Sequence, residues 1–229
     1  MIGEFPDGIV IYGAGDQARV NRPILRRLGA RVVAAIDDTP DLQTPFPEIP
    51  LLRGLGELRA WLAARDRRRL GFIVAIGDSF GDVRMRLHDT LVAEGLSPVS
   101  FADPSAIIGD DVVIGDGAQI MPGVVIQTRA RLGRQVILNT RASIDHDCVI
   151  GDGVEIAPGA VLCGRVEVGR HSWICTGATV VSRVRIGAGS VVGAGATVLT
   201  DVPDGTFVAG TPATARNGKI IEEMRGRRP

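Results

Sequence analysis

Three histidines occur in the 229 residues, at 88, 146 and 171, and one of them stands between two carboxylates in Asp145-His146-Asp147. Imidazole takes up and gives back a proton near neutrality. A neighbouring carboxylate fixes its tautomer and raises its basicity, so His146 with Asp147 is a pair suited to general-base work. An exposed polar turn carries the same residue types, and the element that holds the triplet has to decide between the two.

That element is periodic. Every sixth residue from Ile108 to Val198 is Ile, Leu or Val, sixteen in succession, and the residue four places after each is small or β-branched, as at Val112, Ala142, Cys148 and Val184. A helix repeats near 3.6 and a strand at 2, whereas a period of six with one large and one small inward residue is that of a hexapeptide β-solenoid. Three hexads close a triangular coil, so residues 18 apart stack about 4.8 Å apart. The 96 residues from 108 to 203 make a little over five coils, with no insertion.

His146 is the third residue of its hexad, a turn position outside the apolar column. Cys148 falls in the inward small column, where packing accounts for it without a thiol nucleophile. The period fixes neither handedness nor function, since such a prism also serves as a scaffold or a binding surface.

The first hundred residues read differently. An apolar strand, Ile9 to Tyr12, runs into Gly13-Ala14-Gly15 and a helix beginning near Asp16, and a second strand, RVVAAI, ends at Asp37 and Asp38. Glycines after a strand admit a phosphate to backbone N–H groups, and acids about 22 residues on accept from a ribose or a base. The bland reading, a tight turn with acids capping a strand end, stands beside it. Strand ends at Tyr12, Asp38 and Gly77 are expected along one sheet edge. A hundred residues suffice for half of a doubly wound fold, and a mononucleotide is a more economical ligand than a dinucleotide.

Composition narrows the partners. Lys plus Arg and Asp plus Glu both number 26, which gives no basic excess for nucleic acid or a membrane surface. No secretory signal or apolar run of about 20 residues appears, so a cytoplasmic chain is expected. Cys148, Cys163 and Cys175 have neither the number nor the spacing of a disulfide framework and are read as buried or half-buried thiols. His146 and His171 are 25 apart and do not stack, so a zinc site shared by solenoid histidines is not expected. His88 is read as a surface residue of a helix, and the basic tail MRGRRP as a solvated end.

The hexads IGDGAQ, IGDGVE, IAPGAV and IGAGSV, with the ending VAGTPA, resemble the left-handed β-helix acyltransferases. Together with YGAGDQARV, IDD, VAIGD and NTRASIDHDCVIG, the chain is similar over nearly its whole length to one subfamily. That subfamily contains the nucleotide-aminosugar N-acetyltransferases of the bacillosamine and perosamine type and the related sialic acid O-acetyltransferases. The resemblance implies an α/β half-Rossmann domain at 1–104 that holds the nucleotide. After it comes an all-β left-handed parallel β-helix of hexapeptide repeats, with a C-terminal tail, at 105–229.

The resemblance further implies a homotrimer that uses acetyl-CoA, and no metal, to acetylate the amine of a UDP- or GDP-linked 4-amino-4,6-dideoxyhexose in bacterial surface-glycan biosynthesis. His146 would be the general base for direct attack on the thioester and Asp147 its helper, with Asn139 touching the acceptor. Tyr12, Gly13, Ala14, Gly15, Asp37, Asp38 and Gly77 would meet the nucleotide sugar. Adding 18 to 146 gives Gly164, where a thioester arm has room to pass, and CoA would run along Gly164, Thr176 and Ala194. Two positions depart from the subfamily pattern, Glu155 where relatives often have histidine and Asp16 where a third glycine is usual. An O-acetyltransferase or a non-catalytic nucleotide-binding trimer is the alternative reading.

Overall fold

In a computed structural model, residues 4–217 and Glu223 are described. The chain forms two compact units, one comprising Met1–Ile76 with Arg86–Phe101 and the other Gly77–Met85 with Ala102–Pro229.

The first unit is built on a parallel five-stranded sheet. Its strands are β1 (Gly8–Tyr12), β2 (Val32–Ile36), β3 (Leu51–Leu52), β4 (Leu70–Val74) and β5 (Ser97–Pro98), in the order β3-β2-β1-β4-β5. Side chains alternate across a sheet, and Val10 and Tyr12 of β1 join Ala34, Ile36, Phe72 and Val74 in one apolar layer. Leu58 and Leu62 of helix α2 (Gly54–Leu62) and Leu91 of helix α3 (Gly81–Ala93) complete that layer. Helix α1 (Asp16–Arg27) buries Ala18, Asn21, Ile24 and Leu25, a stripe at helical spacing. β3 and β5 are two residues long, too short for a periodic pattern to announce them.

His88 lies on the buried side of α3, only 5 % exposed, with its ring 5.5 Å edge-on to Phe72. This corrects the surface reading. Arg84, His88 and Leu91 are all buried at helical spacing, so the inner face of α3 is too polar in composition to read as inner.

The second unit is a left-handed parallel β-helix. Its two-residue strands stack into three flat faces with partners 18 residues apart, such as Val125, Ser143 and Val161. This winding is opposite to the right-handed crossover general in parallel sheets. The faces have six, five and eight strands. The second residue of each strand points inward, and Ile126, Ile144, Leu162 and Val180 are fully buried.

At each corner the chain turns through one residue with positive φ. Glycine holds that place at 117, 123, 153, 159, 177, 189 and 195. The last coil is two residues short, because Phe207 pairs with Val191 and Val202 bridges Ile186, each 16 residues apart. The hexad after Val198 is where the period lapses.

Candidate active site

The corner between the six- and five-stranded faces carries residues 145–148. Asp145 Oδ1 accepts the backbone N–H of His146 at 2.7 Å and so shapes the turn. Asp147 serves the ring, with its Oδ2 2.8 Å from His146 Nδ1. The two aspartates flanking the histidine therefore have different tasks.

Asp147 is itself gripped from the coil before it. Arg129 Nε donates to Oδ1 at 2.8 Å and Nη2 to Oδ2 at 3.0 Å, and Arg165 Nε stands 3.7 Å from Oδ2 on the other side. The Arg129 hydrogen bonds, and after them the one from His146, hold the Asp147 carboxyl down at about 2. An ionised carboxylate only accepts. Nδ1 therefore carries the proton, and Nε2 is left as the basic nitrogen of a half-exposed ring.

Gly164 lies against this ring. A methyl group on its Cα would come within 2.5 Å of His146 Nε2 and 2.7 Å of Cε1, so the missing side chain makes room for the imidazole itself. Cys148 is fully buried with its Sγ on the Cys163 carbonyl at 3.2 Å, and burial pushes its thiol up to about 11, which suits packing and not nucleophilic attack. All three cysteines are free.

The other solenoid candidates occupy a different corner of the same prism, between the eight- and six-stranded faces. Thr176 and Ala194 are exposed there, beside Pro158. Asn139 Oδ1 accepts the Thr140 N–H at 2.8 Å, and its amide reaches Glu155 Oε1 at 3.4 Å. Within one protomer, neither Asn139 nor the Thr176–Ala194 column is brought to His146.

Glu155 is 2 % exposed and faces a fully buried Arg84, Nη1 to Oε2 3.8 Å. Its charge is therefore turned away from solvent, where it would have repelled a phosphate. Arg84 also donates to the carbonyls of Gly153 at 2.7 Å and Gln135 at 3.2 Å. Burial pushes the Glu155 carboxyl up to about 7 against the attraction of Arg84, and no hydrogen bond reaches Oε2. Neither Arg84 nor its partnership with Glu155 was read from the sequence.

In the α/β unit, Tyr12, Gly13, Ala14, Gly15, Asp37 and Asp38 gather at the carboxyl ends of β1 and β2. Tyr12 Oη donates to Asp38 Oδ2 at 2.7 Å, and burial raises the phenol above its ordinary range. The N–H of Ala14 donates to Asp37 Oδ2 and that of Thr39 to Oδ1, both at 2.8 Å, while the Gly13 N–H is held by the Ile36 carbonyl.

The glycine-rich turn thus spends its first two N–H groups on β2. Gly13 is required there, with φ +93° and the Ala75 carbonyl 2.5 Å from where a Cβ would sit, whereas Gly15 opens onto empty space. Asp16, the first residue of α1, points outward to Arg19 at 3.9 Å. Gly77 follows β4, in the segment that belongs to the second unit. The chain leaves β4 at Val74, and residues 77–85 group with the solenoid, to which Arg84 ties them.

Two concavities of about 460 Å³ open on this unit, one at the amino ends of the strands beside Gly8, Val33 and Leu70, the other along Arg19, Arg22 and Arg26 of α1. Neither is lined by the strand-end cluster. Among the described residues no group of three His, Cys, Asp or Glu gathers to hold a metal ion, and no helix is long and apolar enough to cross a membrane. The tail at 224–229 lies outside the described residues.

A hexapeptide prism with a histidine–carboxylate pair on an open corner is the framework of an acyl-transfer enzyme. The bacterial transferase hexapeptide pattern (six repeats) matches residues 105–140 and 129–164, and the PglD N-terminal domain matches 8–91. PerB of Caulobacter crescentus, solved with CoA and GDP-perosamine, is 33 % identical over 92 % of this chain and 97 % of its own, with a TM-score of 0.83. The acetyltransferase domain of PglB from Neisseria gonorrhoeae FA1090, solved with acetyl coenzyme A, is 30 % identical over 92 % of this chain and 100 % of its own, with a TM-score of 0.82. GDP-perosamine N-acetyltransferase of Escherichia coli O157:H7 is 37 % identical over 75 residues, a third of each protein. The chain belongs to the family of left-handed β-helix nucleotide-aminosugar N-acetyltransferases.

Proposed function

We propose that the protein moves the acetyl group of acetyl-CoA to the amine of a nucleotide-linked sugar, a UDP- or GDP-linked 4-amino-4,6-dideoxyhexose destined for a bacterial surface glycan. The observation that carries this reading is the 2.8 Å contact between His146 Nδ1 and an ionised Asp147, which leaves Nε2 basic on an exposed corner. The nitrogen lone pair of the sugar attacks the thioester carbonyl carbon. His146 Nε2 takes the ammonium proton as that bond forms, and collapse of the tetrahedral intermediate expels the CoA thiolate. We assign the Gly164 N–H the role of oxyanion donor.

The nucleotide is assigned to the cluster around Tyr12, Asp37 and Asp38. Carboxylate oxygens that already accept one bond keep a lone pair for a ribose hydroxyl or a base N–H. The bound CoA and GDP-perosamine of PerB, a relative matched over nearly its whole length, support both ligand classes.

A homotrimer is part of this reading. The outward residues of the six-stranded face are Ile107, Val125, Ser143, Val161, Thr179 and Thr197, none charged, and His146 lies on one edge of that face with Thr176 and Ala194 on the other. A closed three-fold ring packed along it sets the His146 corner of one copy beside the Thr176–Ala194 corner of the next, with a groove for pantetheine between them.

Release of CoA, followed with a thiol reagent, tests the function. Release is expected with acetyl-CoA and GDP- or UDP-linked 4-amino-4,6-dideoxyhexoses, and not with the parent nucleotides. His146→Ala is expected to lower kcat by about 10² or more while leaving the nucleotide-induced rise in Tm intact. An undiminished rate in that variant would move the base elsewhere, and no release with any amino sugar would end the enzymatic reading.

A further inference from the structure

The corner that carries His146 differs from the other two at its left-handed turn position. Its five successive coils place Asp111, Arg129, Asp147, Arg165 and Arg183 there, with φ between 59° and 65°. The corner between the eight- and six-stranded faces has Gly123, Arg141, Gly159, Gly177 and Gly195, and the remaining corner Gly117, Gln135, Gly153, His171 and Gly189. A side chain in this backbone region costs roughly 1–2 kcal/mol that glycine does not. Only at the His146 corner is that cost borne in every coil, and there every residue is charged.

The charges meet across the coils. Arg129 takes both oxygens of Asp147 in a side-on pair, and Oδ2, the oxygen shared with Arg129 Nη2, is also the one that meets His146 Nδ1. Without that clamp the carboxylate keeps only the looser contact with Arg165 at 3.7 Å, and the imidazole is left with a less firmly held partner for its proton on Nδ1.

We propose that Arg129 is a positioning residue for acyl transfer, holding Asp147 so that His146 stands over Gly164 as a neutral base with Nε2 free. The proposal rests on His146 being that base. Arg134 supplies an internal comparison. It too pairs with an aspartate 18 residues further on, but with Nε and Nη2 both on one oxygen, Asp152 Oδ2, at 3.2 and 3.0 Å, at a corner without His146.

The test combines ring 15N NMR of His146, which reports which nitrogen carries the proton and is assigned by its absence in His146→Ala, with kinetics on acetyl-CoA and GDP-perosamine. Arg129→Gln is expected to move part of the neutral ring's proton from Nδ1 to Nε2, because the carboxylate that holds it on Nδ1 is no longer clamped. It should lower kcat about tenfold with little change in KM. Arg134→Gln should alter none of these. In the Asp147→Asn background, Arg129→Gln should add nothing, since both changes break one unit.

Should the glutamine variant lose its fold, Arg129→Lys carries the test. It keeps the charge but not the two-pronged grip, so the same tautomer shift and fall in kcat should follow. An unmoved tautomer and rate in Arg129→Gln, or losses that multiply in the double variant, would overturn the role of Arg129. A fully active His146→Ala would instead overturn the general-base reading beneath it.

Discussion

Gly164 and His146 share one turn position on successive coils, and the glycine is dictated by the imidazole and not by its own backbone. Its φ lies outside the left-handed region, so alanine fits the chain there, and the conflict is purely with the ring 2.5 Å away. Gly164→Ala is therefore expected to fold with a near-normal Tm while pushing the imidazole aside by about 1 Å, a misplacement that can cost up to about 10² in rate. Steady-state kinetics would show the loss in kcat with the KM for the nucleotide sugar unchanged, and an unaltered kcat would mean that the ring does not work from where it stands. The pairing of these residues was legible because 146 plus 18 is 164. The same arithmetic run backwards from Asp147 reaches Arg129, but a guanidinium in a turn carries no sequence signal until its neighbour on the coil above is known. Asp147 itself holds its charge over any practical assay range. Its pKa is lowered, so its contribution to stability is complete above about 3.9 and is lost only as pH falls through about 2.

Elements with a strong period could be read from the chain, and elements defined by long-range contact could not. Sixteen aliphatic residues spaced six apart announce the solenoid, and β1, α1 and β2 follow from apolar runs broken by Gly13 and Asp37. The segment 77–85 has no such pattern. What fixes it to the solenoid is Arg84, 71 residues from Glu155 and 69 from Gly153, and separations of that kind leave no trace in local composition. The pair has a consequence for stability. Burial raises the Glu155 carboxyl from its ordinary value to about 7, so the folded state holds that proton more tightly than the unfolded chain does. Its contribution is complete below about 4.3, the unfolded value, and is lost as pH rises through about 7. Denaturant unfolding at pH 5 and pH 8 is expected to show the protein losing stability across that interval relative to Glu155→Gln, whose dependence should be flatter whatever its absolute stability. Parallel curves for the two proteins would mean that Glu155 stays ionised beside Arg84 throughout.

At the scale of the whole molecule, the reading depends on which face of the prism a second copy covers. The five-stranded face shows Val113, Arg131, Val149, Glu167 and Arg185 outward, a mixture suited to water. The eight-stranded face has Gln119, Ile137, Glu155 and Val191 already buried within the chain. The six-stranded face is left with an uncharged surface on which Val161 is 37 % and Ile107 64 % exposed. Flat uncharged faces of this kind bury well against a neighbouring copy, and a charge placed in the middle would have to be stripped of water without a partner. If the proposed trimer packs along this face, Val161→Lys is expected to yield monomers by light scattering. It should also abolish acetyl transfer, because His146 and the Thr176–Ala194 corner no longer meet, while the nucleotide-induced rise in Tm survives in the α/β unit. Val149→Lys, at a somewhat more exposed valine on the five-stranded face, should leave the assembly unchanged. A trimeric Val161→Lys, or a monomeric variant that keeps its full rate, would place the acetyl donor within a single prism and remove the need for a neighbour at His146.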